Sequence, residues 1–116
     1  MKNLFVILAI LVISVTFGFD WKPLPTSLRI TVIDNLGNFV EGADVSIYTT
    51  EDNYRNETSA VATGKTDAKG RVKFKDLKGI SYFIHAVKGD KTNIGGGTQT
   101  APLNEGKLNK VNTIIE

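Results

Sequence analysis

Residues Thr63–Gly89 read TGKTDAKGRVKFKDLKGISYFIHAVKG, and this stretch decides the fold class. Asp67-Ala68-Lys69-Gly70 has the composition of a tight turn, with Gly70 free to adopt the positive φ that closes such turns. Val72, Phe74 and Leu77 then supply an apolar face. A second turn at Lys78-Gly79 leads into Ser81–Val87, where Tyr82, Ile84 and Ala86 alternate with Phe83, His85 and Val87. Period-two alternation bounded by glycine turns is the pattern of short half-buried strands.

Outward from that unit the same pattern repeats. Ser27–Asp34 alternates, with Leu28, Ile30 and Val32 on one face and Arg29 and Thr31 on the other. The turn Asn35-Leu36-Gly37-Asn38 follows, then a bulge or kink at Glu41-Gly42. A second strand carries Ala43, Val45 and Ile47 and ends near Thr50. Glu51–Ser59 is polar and aperiodic, an exposed loop with room for one helical turn. Val61–Thr66 and Arg71–Lys75 are the third and fourth strands, and Ser81–Val87 is the fifth. After the glycine-rich loop Gly89–Gln99, Thr98–Pro102 is a short edge strand ended by Pro102. Leu108–Ile115 closes the chain with Val111, Thr113 and Ile115 on one face. Short strands at this spacing predict an all-β, seven-stranded Greek-key β-sandwich.

The N-terminus reads differently. Lys2 precedes an unbroken apolar run, Leu4–Ile13, with small residues following at Thr16 and Gly18. That order matches a secretory signal peptide cleaved after about Gly18. The rival is an uncleaved anchor, although the apolar core is shorter than the roughly 20 residues of a spanning helix. The expected organisation is a signal helix over 1–18, an extended lead-in over 19–26 (Pro23 and Pro25 restrict the residues before them) and one domain over 27–116. The location is extracytoplasmic: periplasmic, cell-surface or secreted.

Composition narrows the function classes. With 14 Lys and Arg against 12 Asp and Glu in 116 residues, net charge is +2, and the cations are scattered. No basic stripe indicates nucleic-acid binding. The sequence has no cysteine, which removes disulfides and thiolate metal sites. Asp90, Asn93 and the run Gly95-Gly96-Gly97 combine oxygen ligands with a flexible backbone. Asp90 and Asn93 are therefore calcium candidates, and all five positions form a candidate binding loop. One carboxylate is thin ligation, so a plain surface loop is the competing reading. Glu51, Asp52 and Glu57 are a second acidic group, again weighed against a solvated loop. A phosphate loop requires Gly-Lys-Ser/Thr entering a helix, and Gly97-Thr98-Gln99 does not supply it. No cofactor is implied.

His85 is the only histidine, and without cysteine it makes no zinc site alone. Ser46, His85 and Asp44 would compose a hydrolytic triad, but no nucleophile-elbow motif accompanies them. Asn56-Glu57-Thr58 is an N-glycosylation sequon. Tyr48, Tyr54 and Phe83 are candidates for an exposed sugar- or protein-binding face, or for core and rim.

The order Val32-Ile33-Asp34, a glycine turn, Val40-Glu41-Gly42-Ala43-Asp44-Val45-Ser46-Ile47, then Thr66-Asp67-Ala68-Lys69-Gly70-Arg71-Val72-Lys73-Phe74 and Tyr82-Phe83-Ile84 resembles the carboxypeptidase regulatory-like domain, a transthyretin-type β-sandwich. It is also similar to the collagen-adhesin B-type repeats of bacterial surface proteins. The resemblance runs from Leu28 to Val87, with Lys110–Glu116 as the last strand. It implies a non-catalytic module, not an enzyme. Some such repeats carry a Lys–Asn isopeptide crosslink; Asn112 lies on the last strand here, but SLRITVID holds no lysine to meet it. The expected function is binding an envelope protein or glycan. The alternative is a structural surface module pairing strand edges as a weak homo-oligomer rather than a monomer, and a hydrolase is the distant alternative. Neither nucleic acid nor membrane, beyond an uncleaved signal segment, is an expected partner.

Overall fold

The computed structural model describes residues 24–116; the signal segment expected over 1–18 and most of the lead-in lie outside them. The described residues form two sheets. Strands β1 (Ser27–Asp34), β4 (Arg71–Phe74) and β7 (Leu108–Ile115) make one, in the order β4-β1-β7. Strands β2 (Asp44–Tyr48), β3 (Ala62–Lys65), β5 (Phe83–Lys88) and β6 (Lys91–Thr92) make the other, in the order β3-β2-β5-β6. The first and last strands run parallel, Leu28 beside Asn109 and Val32 beside Thr113, while all other pairs are antiparallel.

Alternation places the core. Leu28, Ile30 and Val32 from β1 face Val45 and Ile47 from β2 and Ile84 and Ala86 from β5, all buried. Phe74, Tyr82, Leu103 and Ile115 complete the cluster, with Val72, Leu77 and Val111 packed against it. Each large apolar side chain removed from water contributes about 1.5–3 kcal/mol, so the two apolar faces hold the layers together. Tyr82 enters this core with its hydroxyl satisfied, accepting from the Lys78 N–H at 2.9 Å.

The turn at Asp67–Gly70 is built as its composition predicts. Asp67 Oδ1 accepts from the N–H groups of Lys69 (2.9 Å) and Arg71 (3.0 Å), and Gly70 sits at φ +69°. Gly70 has a second reason to be glycine: a Cβ there would lie 2.6 Å from the Val32 carbonyl oxygen. Gly37, in the β1–β2 turn at φ +85°, has open space around the same position.

The sixth strand is where the structure corrects the expected layout. Thr98–Pro102 is not a strand. It contributes only a bridge from Gln99 to Phe83, with the Ile84 N–H donating to Thr98 O and the Thr100 N–H to Tyr82 O. The named strand beside β5 is Lys91–Thr92, paired with Val87 and Lys88 through the Gly89-Asp90 turn. The flank of β5 is thus covered in two pieces, with Asn93–Gly97 looping out between them. Asn93 bridges the gap. Its N–H donates to Ala86 O at 3.1 Å, its Oδ1 accepts from the Ala86 N–H at 3.0 Å, and its Nδ2 donates to Ile84 O at 2.9 Å. The side-chain amide thereby takes the place of the peptide that an unbroken strand would offer. Nδ2 also donates to Thr113 Oγ1 on β7 at 3.0 Å, and Asn93 is 1% exposed.

The Glu51–Ser59 loop contains helix α1, Glu51–Asn56, capped by Thr50 Oγ1 accepting from the Asn53 N–H. Glu51 and Asp52 occupy its first turn, where carboxylates suit the exposed N–H groups. Among the described residues no helix is long and apolar enough to cross a membrane.

Three outcomes follow for stability. Gly37→Ala should cost roughly 1–2 kcal/mol, the left-handed penalty, whereas Gly70→Ala should cost at least about twice that because the Val32 carbonyl must also move; urea midpoints read both. Bonding to the Arg71 and then the Lys69 N–H holds the Asp67 carboxyl below its ordinary value of 3.8. Its contribution is therefore fully present above that value and is lost as pH falls through the depressed one. Melting at stepped pH should show this fall, and Asp67→Asn, which keeps an acceptor, should flatten it. Asn93→Asp should be strongly destabilising in calcium and in EDTA alike, since an oxygen would then face Ile84 O; a calcium site would instead be strengthened by the change. The buried Ile84 carbonyl would lose its donor, a cost of about 1–3 kcal/mol, and the added carboxylate charge would be buried.

Candidate functional site

The five residues of the expected binding loop lie in three different settings. Asp90 is an exposed turn residue beside Gly89, Asn93 is interior, and Gly95–Gly97 form the outward loop. Gly95 and Gly97 adopt φ +89° and +70°, and the Gly96 N–H closes the turn onto Asn93 O. The loop is tied to β7 as well, with Thr113 Oγ1 3.4 Å from the carbonyl oxygens of Gly96 and Gly97. Asn93 Oδ1 is committed to the backbone, which leaves Asp90 as the carboxylate of the calcium candidate pair. Among the described residues, no three His, Cys, Asp or Glu side chains converge.

The loop and helix α1 flank a cleft on the outer face of the four-stranded sheet, lined by Tyr54, Arg55, Glu57, His85 and Ile94. Ile94, at the start of the loop, is 72% exposed. The Tyr54 ring from α1 lies 6.1 Å from Tyr48 and 6.2 Å from His85, both edge-on, and 5.9 Å from Phe83. Burial pushes its phenol upward, opposed by the facing Thr98 hydroxyl. An exposed face of Tyr48, Tyr54 and Phe83 is corrected in part. Tyr48 is only 3% exposed, because α1 folds over it, and the other two are half-buried.

The hydrolytic grouping is rearranged. Ser46 and His85 are direct cross-strand neighbours, but no hydrogen bond joins them among the described residues. Asp44 lies 3.7 Å from Lys65 instead. The carboxylate at His85 is Glu57, whose Oε1 is 3.5 Å from Nδ1. Residues 57 and 85 meet only because α1 packs on β5, and the local marks of that helix are Thr50 at its cap and Glu51 and Asp52 in its first turn. Asn56, the sequon residue, ends α1 and is exposed. Asn112 is exposed beside Thr31, so the position facing it on β1 holds a hydroxyl.

The opposite face of the sandwich carries a feature that the scattered sequence positions concealed. Register sets Lys73 and Lys110 on either side of Arg29, a row of three cations across the three-stranded sheet. Arg71 is one row further along, beside Thr31. Arg29 Nε is buried with no hydrogen-bond partner among the described residues. Cations 29, 73 and 110 are far apart in sequence, so only strand pairing forms the stripe.

No family profile and no curated protein matches this chain. Solved structures do. The TIE protein of Bacillus anthracis is 25% identical with a TM-score of 0.55, the match covering 79% of this chain and 17% of that one. The streptococcal ancillary pilin is 14% identical over 83% of this chain and 33% of its own, with a TM-score of 0.59. BcpA, the major pilin subunit of Bacillus cereus, is 19% identical over 81% and 30%, with a TM-score of 0.52. This chain spans no more than a third of each of these three proteins. The likeness is to β-sandwich domains of such proteins.

Proposed function

We propose that the chain is an exported, non-catalytic β-sandwich module that works by holding a protein or glycan at the cell envelope. In this reading residues 1–18 are a signal peptide, and residues 27–116 are a transthyretin-type Greek-key domain of the carboxypeptidase regulatory-like kind. The observation that carries it is the commitment of the interior polar groups to architecture. Thr66 and Asn93 bond to backbone, and Asn93 also bonds to Thr113, while the accessible side chains form open faces. Open faces suit macromolecular contact better than enclosed chemistry. Likeness to domains of pilins, which are structural proteins, supports the same conclusion.

Self-assembly by edge pairing is the second reading, favoured by that pilin likeness. Three of the four sheet edges weigh against it, and β7, eight residues long, is the edge left to it. Strands β3 and β4 are four residues each and carry Lys65, Arg71 and Lys73, charges that blunt strand addition. On the other side, β6 is already joined to the chain end, with Thr92 and Glu116 exchanging N–H···O bonds at 3.2 and 3.0 Å.

In-cell crosslinking of the tagged full chain, with mass spectrometry of the captured proteins and N-terminal sequencing, tests the proposal. The expected result is a mature N-terminus near residue 19 and one dominant extracytoplasmic partner. An intact N-terminus in a cytosolic fraction would overturn export. Turnover by the purified protein, abolished by His85→Ala with the melting temperature unchanged, would overturn the non-catalytic reading.

A further inference from the structure

We infer that the outer face of the three-stranded sheet docks an extended acidic segment of a partner protein, with a carboxylate on Arg29 and an apolar side chain against Ile33 and Phe39. This rests on the reading of the chain as a protein-binding module and names its face and its partner's chemistry.

The first observation is the charge row. Like charges directly opposite one another on a sheet are destabilising, and here Arg29 has a lysine on both sides. Asp67, whose carboxylate feels the Arg71 charge, has Oδ1 occupied by the turn's own N–H groups. No ion pair of Arg29, Arg71, Lys73 or Lys110 exists among the described residues. The second observation is the orphaned Arg29 Nε. A guanidinium with one nitrogen buried and unbonded lacks the forked acceptor that a carboxylate supplies.

The third observation separates a protein from a bare polyanion. Beyond the cations the same face turns apolar: Ile33 pairs with Ile114 across β1 and β7 and bridges to Phe39. Phe39 is 61% and Ile114 42% exposed. Arg29, Ile33, Phe39 and Lys110 line one shallow trough. Four residues of strand separate the Arg29 row from the Ile33 row, about 13 Å at the usual rise. An extended segment with acidic and apolar side chains about four residues apart matches both halves. A polyphosphate or nucleic acid answers only the first.

The probe is a short fluorescein-labelled peptide bearing a Glu pair and a Leu-Val pair about four residues apart, titrated with the full chain and followed by anisotropy. Binding is expected to weaken at least about tenfold in Arg29→Gln/Lys110→Gln, the scale of a lost charge-assisted contact, and to fall with added salt. Phe39→Ser should weaken it by a smaller factor. The neutralised variant should melt no lower than the parent, because like charges have been removed, so lost binding is not lost folding. Equal binding by parent and variant would overturn the assignment. A peptide of Glu alone, or polyphosphate, binding as tightly would replace the acidic segment with a simple polyanion. Concentration-dependent dimers dissolved by the same double substitution would make the occupant a second copy. Failure of the peptide to bind leaves the in-cell capture result standing, and failure of export leaves the peptide result standing.

Discussion

The amide of Asn93 is the joint on which one side of this sandwich depends. Strand β5 needs a neighbour along its whole flank, because buried N–H and C=O groups left unpaired are expensive. The chain supplies Lys91–Thr92 at one end and Thr98–Thr100 at the other. Between them the side chain of one asparagine, donor and acceptor in peptide-like geometry, bonds Ala86 and Ile84. The main chain is thereby released to loop outward through three glycines and return. Thr113 fastens the same amide to the other sheet, so one residue links β5, the glycine loop and β7.

That joint also shapes the outside. An interrupted flank next to β5 gives no continuous edge for another strand to extend, and the pairing of Thr92 with Glu116 seals the corner. The loop it releases carries Ile94 to the rim of the α1 cleft. Helix α1 in turn brings Tyr54 and Glu57 over β5 and His85. Among the described residues the opposite sheet has no such covering element, and its cations and exposed apolar side chains stand on β1, β4 and β7. The two faces therefore differ in kind: one covered, aromatic and mixed in charge, the other open, basic and partly apolar.

Much of this was legible in single strands. The burial of Leu28, Ile30 and Val32, of Ala43, Val45 and Ile47, and of Tyr82, Ile84 and Ala86 follows from period-two alternation. Gly70 was recognisable from its turn, though its close approach to the Val32 carbonyl was not. The Asp90–Gly97 loop was the least legible stretch. Oxygen-bearing side chains beside glycines look the same in a ligand loop and in a strand excursion. Which applies to Asn93 depends on whether its amide faces solvent or the flank of β5. In the same way, Thr98–Pro102 has strand-like residues, but the Tyr82 N–H bonds to the Thr100 hydroxyl in place of a backbone carbonyl, and regular pairing stops at the Gln99 bridge.

Sequence by itself determined the elements: where the chain extends, where it turns, and which side chains of each strand enter the core. Those are consequences of neighbours within a few residues, acting through alternation, glycine conformation and capping. Only the tertiary structure decided which strands meet and in what register. Arg29, Lys73 and Lys110 are ordinary solvent-side residues on three separate strands, and they become a row because β1 pairs antiparallel with β4 and parallel with β7. Glu57 meets His85, and Asn93 replaces a peptide, for the same reason. Such surfaces are assembled across strands, and a one-residue change of register would disperse them while leaving every local signal intact.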